Sequence, residues 1–376
     1  MAKQRSIFED VGEKRAAAPP APAKRRGYAR RGIAIWLMVL FALVVVMIAV
    51  GGLTRLTGSG LSITEWRPVT GALPPMSAEE WEREFELYRQ IPQYDLVNRG
   101  MTMAEFQVIY WWEWGHRQLG RLIGVVWLAG FVGFHAVRRV PPGWTSRMLL
   151  LGALGGLQGA IGWWMVASGL EGEMVRVASY RLAVHLGLAF VILGLIAWYV
   201  LRLRRDEGEL LQARRQQNQG LMTWGAVLVG VTFFQILLGA LVAGIDAGRG
   251  YIDWPLMAGQ FVPPNAFIYE PWWRNFFENP GLVQFNHRMA GYLLAILGVV
   301  AWWRSRRSAH AGIRRAFDIV LAVMAVQVVL GVLTVVHAAP WHLAIAHQFG
   351  AVVLFVMVIG ARFTAQFPRE QRIARG

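Results

Sequence analysis

Residues 319–361 read IVLAVMAVQVVLGVLTVVHAAPWHLAIAHQFGAVVLFVMVIGA, 43 positions without one Asp, Glu, Lys or Arg. A helix that crosses a bilayer needs roughly 20 mostly apolar residues, so this run is too long for one crossing. His337-Ala-Ala-Pro340 lies in its middle. Proline ends a helix at the residue before it, and the run divides there into two spans. Working outward, uncharged runs at 32–54, 148–170, 182–201 and 216–245 add four more. Two further apolar stretches, 122–137 and 289–303, hold only 16 and 15 residues. Each reaches spanning length only if the polar motif before it is also within the membrane. Those motifs are Trp114-Gly-His116-Arg-Gln-Leu-Gly-Arg121 and Phe285-Asn-His287-Arg288. The expected fold is an all-α integral membrane protein of eight transmembrane helices, two of which begin with buried polar groups.

Composition agrees. Hydrophobic residues make up 55% of the 376 positions and charged residues 16%, against about a quarter charged in a soluble domain. Mean hydropathy is +0.38. The chain has no cysteine, which excludes disulfides, thiolate catalysis, iron–sulfur clusters and Cys-ligated zinc. Many of the 18 tryptophans sit beside the apolar runs, where interfacial belts place them.

The net charge of +15 records topology. With the N-terminus inside, segments 1–31, 138–147, 202–215, 304–315 and 362–376 carry 26 of the 38 basic residues, and the outer segments carry 15 of the 23 acids. Positive segments stay on the cytoplasmic side, so both termini face the cytoplasm and nucleic acid is not the partner. Residues 1–31 hold no apolar core of a cleaved signal and read as an unstructured cytoplasmic tail; residues 366–376 read as a cytoplasmic C-terminal tail. Two outer loops, roughly 55–109 and 245–281, are long enough to cap the helices.

The halves of the chain repeat. Met47-Ile-Ala-Val-Gly51 matches Gln235-Ile-Leu-Leu-Gly239, Glu65-Trp66 matches Asp253-Trp254, and Gly71 matches Gly259. His116-Arg117 matches His287-Arg288, Gln158-x-x-x-Gly162 matches Gln327-x-x-x-Gly331, and Leu182-Ala-Val-His185 has a counterpart in Leu343-Ala-Ile-Ala-His347. With four spans each, both halves start inside. The expected architecture is two tandem four-helix bundles, 32–215 and 216–365, related by a pseudo-two-fold axis along the membrane normal.

Four of the eight histidines recur at matched positions, His116 and His185 in the first half, His287 and His347 in the second. Each falls near the outer end of the second or fourth span of its repeat. Two imidazoles at one depth on two helices can face each other across a porphyrin iron. Ionisable groups inside a membrane are costly, so four at matched depth point to two bis-histidine haem sites. Zinc would want a third protein ligand that neither half offers; copper is a weaker rival. A lone membrane histidine has the plainer reading of a hydrogen bond to a neighbouring helix, which is where His135, His310, His337 and His342 are left. Arg117 and Arg288 are candidate partners of haem propionates, with interfacial snorkelling as the alternative. Gln158, Gln235 and Gln327 read as packing residues.

One asymmetry separates the halves. Glu113 stands three residues before His116, and Gln284 three before His287, a spacing that puts each on its histidine's helix face. A proton acceptor beside the iron suits chemistry at the ring edge; electron transfer needs none. Exposure of Glu113 at the interface is the competing reading. The first half is thus expected to react and the second to relay electrons.

These strings resemble haem A synthase, in the version without loop cysteines. The likeness runs from about Ile33 to Arg362. It is carried by Gly58-Ser-Gly-Leu-Ser-Ile-Thr-Glu-Trp-Arg-Pro-Val-Thr-Gly71, Trp112-Glu-Trp-Gly-His-Arg-Gln-Leu-Gly-Arg121, Tyr180-Arg-Leu-Ala-Val-His185, Asn275-Phe-Phe-Glu-Asn279, Val283-Gln-Phe-Asn-His-Arg-Met289 and Ala344-Ile-Ala-His-Gln348. The resemblance implies an oxidoreductase of the bacterial inner membrane that oxidises the C8 methyl of haem O to the formyl of haem A. Successive hydroxylations, and loss of water from the geminal diol, give the aldehyde. It also implies that His287 and His347 ligate a resident haem b, that His116 and His185 hold the substrate haem, and that Glu113 is the catalytic carboxylate. Haem O synthase and terminal oxidase assembly are the implied functional neighbours; the electron partner and homo-oligomer formation stay open. Two other classes fit the histidines: a di-haem b-type electron carrier, and a haem transporter or chaperone.

Overall fold

The computed structural model describes residues 23–170, 172 and 174–369. In chain order the helices are α1 (Ala23–Leu56), α2 (Ala78–Arg89), α3 (Pro92–Val97), α4 (Met103–Ala136), α5 (Thr145–Ala167) and α6 (Ser179–Leu203). There follow α7 (Glu207–Arg215), α8 (Gln219–Gly244), α9 (Asn275–Glu278), α10 (Pro280–Ser305), α11 (Ala311–Val336) and α12 (Trp341–Gln366). The described residues form no strand. The 43-residue run breaks at His337–Pro340, between α11 and α12.

Seven helices, α1, α4, α5, α6, α8, α11 and α12, are long and apolar enough to cross a membrane. The 26-residue α10 packs against α8 and α11 like its neighbours. It falls outside that group because Asn286, His287 and Arg288 interrupt its apolar sequence. Both short apolar stretches extend backwards through their polar motifs as unbroken helix, since α4 starts at Met103 and α10 at Pro280. The starts are locally encoded. Thr102 and Glu105 form a capping box at α4, and the Asn279 side chain accepts from Leu282 N ahead of α10, with Pro280 in its first turn. These arrangements satisfy amide groups that a helix leaves without partners.

The N-terminal tail differs from expectation. It was expected unstructured to residue 31, yet α1 begins at Ala23; residues 1–22 lie outside the described residues, as do 370–376 of the C-terminal tail. Arg30 shows a reason. Its guanidinium bonds Glu207 and the carbonyls of Arg202 and Arg205, where α6 ends and α7 begins. A cation at the carbonyl end of a helix is favourable, and it ties this extension to the next layer.

The first-half helices pack in sequence, α1 on α4 and α6, and α5 on α6; the second half repeats this with α8 on α10 and α12, and α11 on α12. The halves meet where α6 packs on α8 and α12, and α1 on α12. Leu37, Leu40, Phe190, Leu193, Ile236, Phe355 and Ile359 are buried in this seam. Gln348 crosses it to donate to the carbonyl of Ile48, 2.6 Å away. The first outer segment folds into its own small core over α4, around Leu61, Phe85, Tyr88 and Phe106.

Candidate functional site

All four expected histidines face a glycine of the long helix that precedes their own, on α1, α5, α8 and α11. Had those glycines a Cβ, it would stand 3.2 Å from the His116 ring at Gly51, 2.9 Å from His185 at Gly162, 3.1 Å from His287 at Gly239 and 3.0 Å from His347 at Gly331. The missing side chain is what lets each imidazole lie against the adjacent backbone. Four residues before three of these glycines stands a glutamine, and its amide donates to the histidine's own carbonyl: Gln158 to His185 at 3.0 Å, Gln235 to His287 at 2.9 Å, Gln327 to His347 at 2.8 Å. The glutamines read from sequence as packing residues thus fix the helices that present the rings. In the first half the fourth position is Met47, so the His116 carbonyl has no such amide.

The rings of His287 and His347 lie 6.3 Å apart between centroids, at 87° to each other. Two imidazoles bonded at about 2.0 Å to opposite sides of one metal place their centroids ~6 Å apart. Nδ1 of both rings is buried without a hydrogen-bond partner. The ring separation fits a porphyrin iron held from both faces. In the first half, Gln158 Nε2 lies 3.2 Å from His185 Nε2. Among the described residues no three His, Asp or Glu side chains cluster as a metal site, which leaves zinc without a ligand set. The remaining histidines make local contacts. His135 joins Phe131 O to Thr145 Oγ1, and His337 contacts Leu333 O; His310 precedes α11 and His342 packs edge-on to Trp341.

Glu113 is 3% exposed and Gln284 equally so, so the interfacial reading of the carboxylate fails. Oε2 of Glu113 accepts from Ser62 Oγ and from Ile63 N, each at 2.9 Å, and Oε1 accepts from Arg117 Nη2 at 2.6 Å. Arg117 also donates to the carbonyls of Ile63 and Glu65. The second half reproduces this around a neutral group. Arg288 donates to the carbonyls of Tyr251, Asp253 and Leu256, and Gln284 Nε2 to Tyr251 O at 2.9 Å. Ile63 and Tyr251, like Glu65 and Asp253, are 188 positions apart, the offset of the loop repeat. Each arginine therefore clips its outer loop to the helix of its histidine. The carboxylate takes a proton donor from the loop where the amide gives one, and Gln284 Oε1 is left buried and unpartnered. Arg117 and Arg288 were expected beside propionates or at the interface; their contacts here are a carboxylate and loop carbonyls. Past Arg117 the first loop covers a cleft of about 240 Å³ lined by Arg67, Arg121, Glu84 and Tyr110, among others.

Ser62, which bonds Glu113, and Arg181, on the helix of His185, were both missed by sequence reasoning. Ser62 lies within Gly58–Gly71, yet nothing in its spacing ties it to Glu113. Arg181 is one turn from His185, a signal that was available.

The comparisons agree with this geometry. Residues 34–359 match the family described as cytochrome oxidase assembly protein. A heme A synthase of Dinoroseobacter shibae is 65% identical over 374 residues, covering 98% of this chain and 97% of the relative. Heme A synthases of Cereibacter sphaeroides (60%, covering 100% of this chain and 99% of the relative) and Paracoccus denitrificans (59%, 98% of each) are similarly close. The chain belongs to the haem A synthase family.

Proposed function

We propose that the protein is the oxidoreductase that converts haem O to haem A, oxidising the C8 methyl of the ring to a formyl group for terminal oxidases. The observation that carries this is the pair of matched histidine sites that differ in one buried side chain, Glu113 against Gln284, on otherwise repeated loop-and-arginine scaffolds. In this reading all eight long helices cross the bacterial inner membrane as two tandem four-helix bundles, 32–215 and 216–365, with both termini cytoplasmic. The exposed series Leu293, Ile296, Val299 and Trp303 on α10 supports the eighth crossing, because a spanning helix needs such a face toward lipid.

His287 and His347 would hold haem b, which supplies electron transfer when bound. His116 and His185 would hold the substrate haem, gripping its iron and leaving the ring edge accessible. Turning a methyl carbon into an aldehyde removes protons as well as electrons, and Glu113 is the first half's buried proton acceptor on the His116 face. Its bonds to Ser62, Ile63 and Arg117 hold it in one place, as a positioned base requires. Haem O synthase would supply the substrate, and oxidase assembly would consume the product.

Pigment analysis of Glu113→Gln tests the reading. The variant should keep both porphyrin sites occupied and accumulate haem O without haem A. Normal haem A production would remove the carboxylate from the chemistry, and absence of haem O and haem A from the wild-type preparation would favour a plain electron carrier.

A further inference from the structure

Arg181 stands four residues before His185 on α6, so it leaves the same helix face one turn nearer the helix start, which is the outer end in the proposed orientation. Its guanidinium carbon lies 4.9 Å from the ring centroid of Trp164 on α5 and 5.6 Å from that of Tyr180. Its Nε and Nη1 are buried, and neither has a hydrogen-bond partner among the described residues. Buried donors without acceptors are costly. Neighbouring arginines each hold an anionic or carbonyl partner, with only Arg55 Nε among them buried and unpartnered: Arg55 and Arg176 pair with Asp246, Arg117 with Glu113, and Arg288 binds loop carbonyls. The offset of 162 that relates His185 to His347 carries Arg181 onto Leu343. The cation therefore belongs to the first half alone.

We propose that Arg181 is a carboxylate clamp that holds a propionate of the porphyrin gripped by His116 and His185. This rests on the reading of that pair as the substrate site. Two axial imidazoles fix the iron but leave the ring free to turn about the line joining them. In haem O the C8 methyl shares its pyrrole with a propionate. A clamp on that carboxylate removes the turn and sets the reacting methyl in one direction, the positioning that makes a reaction effectively intramolecular. An electron relay needs no such registration, and the second half has leucine at the matched place. The Trp164 and Tyr180 rings are both within cation–π range of the guanidinium.

The test uses detergent-solubilised full-length protein titrated with ferric protoporphyrin IX and, separately, its dimethyl ester, which has the same ring and uncharged arms. First-site binding is the visible difference signal that His116→Ala abolishes. Wild type should bind the free acid roughly 10- to 100-fold more tightly than the diester, the size of charge-assisted hydrogen bonding. Arg181→Leu should erase that preference, leave diester affinity unchanged and keep the second-half haem spectrum. Arg181→Lys should restore part of the preference. A wild type that does not discriminate, an Arg181→Leu that still does, or a variant that loses both probes while its second-half spectrum is intact would each overturn the clamp. If wild type shows no binding that depends on His116, the substrate-site reading itself fails, and the clamp with it.

Discussion

Replacing Gly331 with alanine should loosen the second-half haem. The added Cβ would stand 3.0 Å from Cε1 of His347, where carbon atoms prefer about 3.5 Å or more. The ring or the helix must therefore give by ~0.5 Å, whereas a metal–ligand distance tolerates only about 0.2 Å. Relief by moving the α12 backbone is opposed by Gln327, whose amide holds the His347 carbonyl at 2.8 Å. Overpacking of this kind costs about 1–3 kcal/mol, which is roughly 5- to 150-fold in haem retention. The assay is the low-spin visible spectrum of purified protein, together with the rate at which an apo-globin acceptor strips the haem. Gly360→Ala is the control, because it lies on α12, the helix of His347, and its Cβ would meet nothing within 4 Å. Wild-type haem retention in Gly331→Ala, or equal damage from Gly360→Ala, would refute the claim that the glycine is there to admit the imidazole.

Three further outcomes are expected. Glu113→Gln should end haem A formation while the absorption of both porphyrin sites persists, read by pigment chromatography and spectroscopy on one sample. Arg288→Leu removes the donor from three loop carbonyls and should cost at least about 1.5 kcal/mol; limited proteolysis should then cut within 250–265 faster than in wild type. Arg30→Ala deletes the bonds to Glu207 and to the carbonyls of Arg202 and Arg205. It should lower the thermal midpoint in detergent by a few degrees without altering the haem spectra; a change in those spectra would mean that the extension of α1 is coupled to the sites.

Seven of the spans and the juxtaposition of His287 with His347 were legible in the sequence because both rest on local signals. An uncharged run reports a helix in lipid, and each matched histidine sits in a short motif that recurs in the other half, whatever the loop lengths between. The turn at His337–Pro340 and the extension of both helices back through their polar motifs follow from length alone. The roles of the arginines were not legible. Arg117 reaches Ile63 and Glu65 across more than 50 residues, and Arg288 reaches Tyr251 across 37, so their acceptors are backbone oxygens that no sequence pattern marks. The glutamines carried a visible spacing to glycine, but their target, a carbonyl on the next helix, depends on how the helices cross. The start of α1 was placed too late because its basic residues looked like tail, and only the α6 end shows what anchors Arg30.

The most direct measurement is the porphyrin content and visible spectrum of purified protein carrying each of the four histidines replaced by alanine in turn. His287→Ala and His347→Ala should each abolish the low-spin signal of the resident haem, and His116→Ala and His185→Ala should leave that signal in place while removing haem O and haem A. Wild-type protein without porphyrin, or a resident haem signal indifferent to both His287 and His347, would contradict the account.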